Sequence, residues 1–168
     1  MAIAINCDYW LSLDFDAEEI AKKIVPLAFA MADIPVSLHG RDLEFSIVLT
    51  DDETTQALNR DYRGKDKPTN VLSFAMLDSN DDDFLPPADQ PLPVGDIILA
   101  YETIESEAIE QSKPLRDHYA HLLVHGALHL LGYDHEDPHE GDVMESLEIR
   151  ILKKYGIENP YLDGKTVA

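Results

Sequence analysis

Between Pro114 and Leu131 the chain carries a helical run that is apolar on almost every side. Leu115, Tyr119, Leu122, Leu123, Val124, Ala127, Leu128, Leu130 and Leu131 surround the axis instead of forming one stripe. A helix with so little polar surface is stable only when other elements cover it, so this one is expected at the centre of the fold. Pro114 suits the first helical turn, and Gly132 supplies a left-handed stop. The 168 residues suit one ordinary domain, which removes roughly 70% of its unfolded surface from water. One domain over residues 1–168 is therefore expected, without internal repeat or linker.

Around this helix the periodicity alternates between two and about 3.6 residues. Ile3, Ile5, Cys7 and Tyr9 alternate with polar or small neighbours, predicting a strand over residues 2–10. From Asp16, with Glu19 completing a capping box, Ile20, Ile24, Leu27, Ala28 and Met31 predict a helix that Pro26 should kink or split. Leu43, Phe45, Ile47 and Leu49 predict a second strand, and Asp51 and Asp52 open a short helix through Leu58. Residues 62–70 form a polar segment before a third strand, Val71–Met76. Asp78, Asp81, Asp82 and Asp83 with Pro86, Pro87, Pro91 and Pro93 mark 78–93 as a solvated, mobile acidic loop. Val94–Ala100 reads as a buried strand, Glu102–Gln111 as a polar helix, and the residues after Asp137-Pro138 as a last amphipathic helix ending at Gly156, leaving a short tail over 157–168.

The chain holds 13 Lys+Arg against 33 Asp+Glu, a net charge of −20. That charge disfavours non-specific adhesion to polyanions and acidic membranes, so any nucleic-acid partner must meet a local cationic site. The lone cysteine, Cys7, excludes an internal disulfide framework and a thiolate-only zinc site. The first residues lack the basic start and apolar block of a secretory signal, and no uncharged apolar run reaches the roughly 18 residues of a membrane span. A soluble cytoplasmic protein, with no membrane partner, is expected.

Five of the seven histidines fall between His118 and His135. Within that stretch His125 and His129 lie four apart, on one face of the helix, and can reach one ion together. His135 can join them only if the chain reverses, which Gly132 permits. Three neutral imidazoles at about 2.0–2.1 Å leave Zn²⁺ a fourth position for water, the arrangement of a catalytic site. His121, four residues before His125, suits a supporting or packing role, since as a fourth ligand it would close the site. His118, His139 and His39 are read as ordinary packing or surface groups. A similar spacing occurs in metzincin proteases, but there a general-base Glu follows the first histidine, whereas here Gly126 stands in its place. Glycine costs about 1 kcal/mol relative to alanine inside a helix, so Gly126 predicts close approach of substrate or backbone. Asp134 and Asp96 are expected to act as turn and structural residues.

Arg60, Arg63, Lys65 and Lys67 place four cations within eight positions of this acidic chain, where an anion can bind. Arg63 in particular can grip phosphate oxygens in a fork, provided the fold brings it to the metal. Taken together, the segments Tyr62-Arg63-Gly64-Lys65-Asp66-Lys67-Pro68-Thr69-Asn70-Val71-Leu72-Ser73-Phe74, Gly95-Asp96-Ile97 and His125 to His135 resemble the YbeY endoribonuclease, or rRNA maturation factor, family. Ala75 stands where a proline often follows the Ser-Phe pair, Asn70 replaces a frequent Asp, and the acidic loop is enlarged.

The resemblance implies an α+β fold, with a small mixed four-stranded sheet, several helices around a central buried one, and a zincin-like metal site. It further implies a zinc-dependent, single-strand-specific endoribonuclease that acts in ribosomal RNA maturation and ribosome quality control. One Zn²⁺ per chain would be held by His125, His129 and His135, with Arg63 the functional arginine. Single-stranded or ribosomal RNA is the implied partner, with ribosomal proteins or an assembly GTPase beside it. Two other readings stay open on the residues alone: a metallohydrolase for peptides or small molecules, and a non-catalytic ribosome-assembly factor with a structural metal.

Overall fold

A computed structural model describes residues 1–77 and 86–162. In chain order the elements are β1 (Ala2–Ile5), α1 (Ala17–Met31), β2 (Leu43–Thr50), α2 (Asp52–Arg63), β3 (Val71–Ala75), β4 (Leu92–Ala100), α3 (Tyr101–Glu110), α4 (Leu115–Leu130) and α5 (Pro138–Lys154). The strands form one mixed sheet in the order β1-β2-β4-β3, in which β2 runs parallel to both β1 and β4 while β3 is antiparallel to β4. This is the α+β architecture expected. No helix among the described residues is long and apolar enough to cross a membrane.

Phe45, Ile47 and Leu49 alternate along β2 and join Val71, Val94, Ile97 and Leu99 in the core. Against them lies α4, whose residues His118–Leu128 are all buried, with α1, α3 and α5 around it. The absence of a solvated stripe in the sequence of α4 is thus matched by cover on nearly every side.

Several boundaries differ from the sequence expectation. The first strand ends at Ile5, and a 3-10 turn over Asp8–Leu11 buries Trp10, whose Nε1 donates to the Thr50 carbonyl at 2.8 Å. Continued alternation would have left this indole on the solvent side, and its large apolar area and polar handle favour the turn. Helix α1 passes unbroken through Pro26. Pro26 is exposed, as is Lys22 four residues earlier, so water can satisfy the carbonyl that loses its donor. Strand β3 ends one residue early, at Ala75.

Helix α2 extends five residues beyond Leu58, to Arg63, and stops at Gly64, which adopts φ 69°. Strand β4 begins at Leu92, taking Leu92 and Pro93 from the predicted acidic loop. Pro93 is tolerated because it sits where the β2–β4 register shifts, opposite Glu44. Of that loop, residues 78–85 lie outside the described residues, whereas the Pro86 and Pro87 carbonyls accept hydrogen bonds from Arg41 at 2.8 and 3.0 Å. At the C-terminus, residues 157–162 fold back: Ile157 joins the core and Lys113 Nζ donates to the Pro160 carbonyl at 2.5 Å.

Candidate metal centre

Two turns of α4 set His125 and His129 side by side, with ring centroids 4.5 Å apart. After Leu130 the chain reverses through Gly132, at φ 96°, and returns His135 to within 5.6 and 5.4 Å of those rings. Such a positive φ strains any residue bearing a Cβ. One nitrogen from each of the three imidazoles lies within 4.8 Å of the other two, a grouping that can hold a metal ion. Exposure rises along the trio: His125 is buried, His129 half-buried and the His135 side chain 50% exposed.

Hydrogen bonds on the far side of the rings decide which nitrogens face inward. His129 Nδ1 lies 2.8 Å from the Tyr133 carbonyl, which can only accept, so Nδ1 carries the proton. His125 Nδ1 lies 2.6 Å from Glu148 Oε1. Burial alone would raise the Glu148 carboxyl, but the hydrogen bonds from His121 and His125 outweigh it and lower its pKa to about 2. Glu148 is therefore anionic and an acceptor, and His125 also carries its proton on Nδ1. The two Nε2 atoms consequently meet as bare lone pairs only 3.0 Å apart. That encounter is repulsive unless a cation stands between them. Two zinc ligands at about 2.0–2.1 Å in tetrahedral geometry lie roughly 3.4 Å apart, close to the observed separation, so the trio fits a divalent metal.

Burial chiefly lowers the His129 pKa to about 4, keeping its imidazole neutral at pH 7. His121 is not part of the metal-competent group. Its Nε2 lies 3.1 Å from both Glu148 Oε2 and the Tyr161 hydroxyl, and burial lowers its pKa. Tyr161 also donates to Glu148, while burial and the carboxylate beside it raise the phenol pKa. Glu148 of α5 thus gathers His125 and His121 of α4 and Tyr161 of the C-terminal segment. Sequence reasoning missed Glu148 and Tyr161. The one available signal was a carboxylate within the apolar stripe of α5, between Leu147 and Ile151.

The close approach that Gly126 permits is to side chains of the sheet. A Cβ there would meet Ile97 Cγ2 at 2.9 Å, Ser73 Oγ at 3.2 Å and Val71 Cγ2 at 3.4 Å, so the glycine lets α4 settle onto β3 and β4. Asp134 Oδ1 accepts from the His135 amide at 2.7 Å, the turn role expected of it. His118 is buried with Nε2 3.0 Å from Glu107 Oε1, and His39 Nε2 lies 3.0 Å from the Ile34 carbonyl.

The histidines open onto a cleft of about 870 Å³, which Arg63, Lys65 and Lys67 also line. Arg63 occupies the last turn of α2, exposed and without an ion-pair partner among the described residues. The turn carrying the lysines is fixed by Asn59, which is buried in α2 and donates from Nδ2 to the Lys67 carbonyl at 2.9 Å. Arg60 pairs with Asp61 and does not line the cleft. Among the described lining residues Asp134 is the only carboxylate.

The family model for Endoribonuclease YbeY matches residues 6–156. The chain belongs to the YbeY endoribonuclease family. A YbeY endoribonuclease of Paramagnetospirillum magneticum is 50% identical over 161 residues, covering 96% of this chain and 94% of the relative. Another, from Magnetococcus marinus, is 57% identical over 123 residues, covering 71% and 84% of the two chains. A protein of Thermotoga maritima whose structure was determined in solution shares the fold with a TM-score of 0.51 at 20% identity, covering 92% of this chain and 91% of its own.

Proposed function

We propose that this chain is a zinc-dependent, single-strand-specific endoribonuclease acting in ribosomal RNA maturation and ribosome quality control, as one cytoplasmic domain. One observation carries the reading: a metal-competent histidine trio and three cations share one cleft, in a chain whose net charge is −20. An RNA phosphate is drawn to such a place although the rest of the surface repels it.

His125, His129 and His135 are the proposed ligands. Bound there, zinc supplies a Lewis acid for a phosphate oxygen and a nucleophile at neutral pH. Glu148 and the Tyr133 carbonyl hold the His125 and His129 rings in the tautomer that turns Nε2 inward. Arg63 grips the non-bridging oxygens of the scissile phosphate and stabilises the charge that develops on them. The peptide-hydrolase alternative lacks its proton acceptor, because the motif position of the catalytic Glu is Gly126, pressed against the sheet. The structural-metal alternative needs a fourth protein ligand, and among the described residues none joins the trio.

The test compares zinc-loaded wild type and Arg63→Ala on single-stranded RNA and on casein. Wild type should cleave the RNA and leave casein intact. Arg63→Ala should keep its zinc and melting temperature and lose at least about 100-fold in cleavage. Cleavage of casein, or of neither substrate, overturns the reading. Undiminished RNA cleavage by the variant removes Arg63 from the mechanism.

A further inference from the structure

Two tyrosines line the cleft, and they differ in how they are held. Tyr133 is tied down: its hydroxyl accepts from the Asp33 amide at 2.8 Å and lies 3.2 Å from the Asp33 carbonyl. Tyr62 is 70% exposed, and its hydroxyl has no partner among the described residues. Its ring packs at 69° against Phe74 of β3, with centroids 5.4 Å apart. It stands next to Arg63 in the last turn of α2 and lines the same cleft as the cations and the histidines. An aromatic ring left in water beside a phosphate-binding arginine contributes little to folding, yet contact with Phe74 restrains its rotamers. Such a ring is ready to stack without a large ordering cost.

We infer that Tyr62, braced by Phe74, is a nucleobase-stacking subsite that holds one unpaired base of the RNA while its phosphates engage Arg63, Lys65 and Lys67. The inference rests on the endoribonuclease reading and adds to it the group that recognises single strands. A base inside a duplex has both faces occupied by its neighbours, whereas an unpaired base can leave the stack and lie on an aromatic ring. Stacking of this kind accepts any base, because each has a π-face, so the subsite favours single strands over duplexes without imposing a sequence.

The test uses the full-length, zinc-loaded protein in single-turnover cleavage of a short single-stranded RNA. A matched series of RNAs carries one abasic nucleotide at successive positions around the cut. In wild type, one abasic position should raise the half-saturating protein concentration by roughly 5- to 100-fold. Tyr62→Ala should show that same loss on the intact RNA and no further loss at the abasic position. Tyr62→Phe should behave as wild type. Zinc content should be unchanged in both variants, and only Tyr62→Ala, which loses the Phe74 contact, should melt slightly earlier. The inference is overturned if Tyr62→Ala matches wild type on intact RNA, if it stays equally sensitive to the abasic position, or if Tyr62→Phe is as weak as Tyr62→Ala. Wild type that cleaves no RNA would instead bring down the endoribonuclease reading, and this inference with it.

Discussion

Glu148→Gln removes one charge from a fully buried site and changes almost no volume. In the native protein both carboxylate oxygens accept: Oε1 from His125 Nδ1 at 2.6 Å, and Oε2 from the His121 ring and the Tyr161 hydroxyl. An amide has one acceptor, so two orientations compete. With its NH₂ toward His125, the amide forces that ring to surrender its Nδ1 proton and protonate Nε2, destroying a metal lone pair. With its oxygen toward His125 the ligand survives, while Tyr161 and His121 can turn to accept from the NH₂. Metal selects the second orientation. There a charge-assisted hydrogen bond worth about 1.5–3 kcal/mol becomes a neutral one worth about 0.5–1.5 kcal/mol. Loss of the carboxylate's attraction for the bound dication adds to this difference of about 1 kcal/mol. The sum corresponds to a weakening of Zn²⁺ binding by roughly 10- to 100-fold. Competition with a chromophoric chelator, run on both proteins at pH 7, measures that ratio directly. Zinc affinity within a factor of about two of wild type would refute the claim that the Glu148 carboxylate strengthens His125 as a metal ligand.

His129→Ala should abolish stoichiometric Zn²⁺ binding, read by metal analysis after gel filtration, and one tightly retained ion would contradict the ligand assignment. Gly126→Ala sets a helix-propensity gain of about 1 kcal/mol against overpacking of about 1–3 kcal/mol. The neighbour at 2.9 Å is Ile97, a buried β-branched side chain with little freedom to yield. The expected net loss is about 1 kcal/mol in urea denaturation, and any stabilisation would count against the close-packing account. Asp51 caps α2 by accepting from the Thr54 amide at 2.9 Å, and its hydrogen bonds with Thr54 hold its pKa below the ordinary aspartate value of 3.8. Removing it in Asp51→Ala should cost about 1 kcal/mol at pH 7. Because folding depresses this pKa, the contribution is complete above pH 3.8 and fades as pH falls below it. The stability difference between wild type and variant, measured from pH 7 to pH 3, should narrow at the acid end, and a constant difference would show that the charged cap is not the cause.

The sequence by itself determined most of what lies close along the chain. Apolar residues all round the 115–131 segment place α4 at the centre, because no other environment covers such a helix. The four-residue interval between His125 and His129, followed by Gly132, brings three imidazoles to one point through local geometry alone. Boundaries set by longer-range packing were less legible: Trp10 turns the chain out of β1 to reach the Thr50 carbonyl, forty residues away. Only the tertiary structure decided what stands behind the metal and what shares its cleft. Glu148, His121 and Tyr161 meet from three separate segments, and no periodicity in one segment reports a hydrogen bond to another. The nearness of Arg63, Lys65 and Lys67 to the histidines depends likewise on the packing of α2 and α4 about β3, with Asn59 fixing the turn between them. Gly126 joins the two levels, since its lack of a side chain is plain in the sequence, but the partner that requires it, Ile97 of β4, appears only when helix and sheet are pressed together.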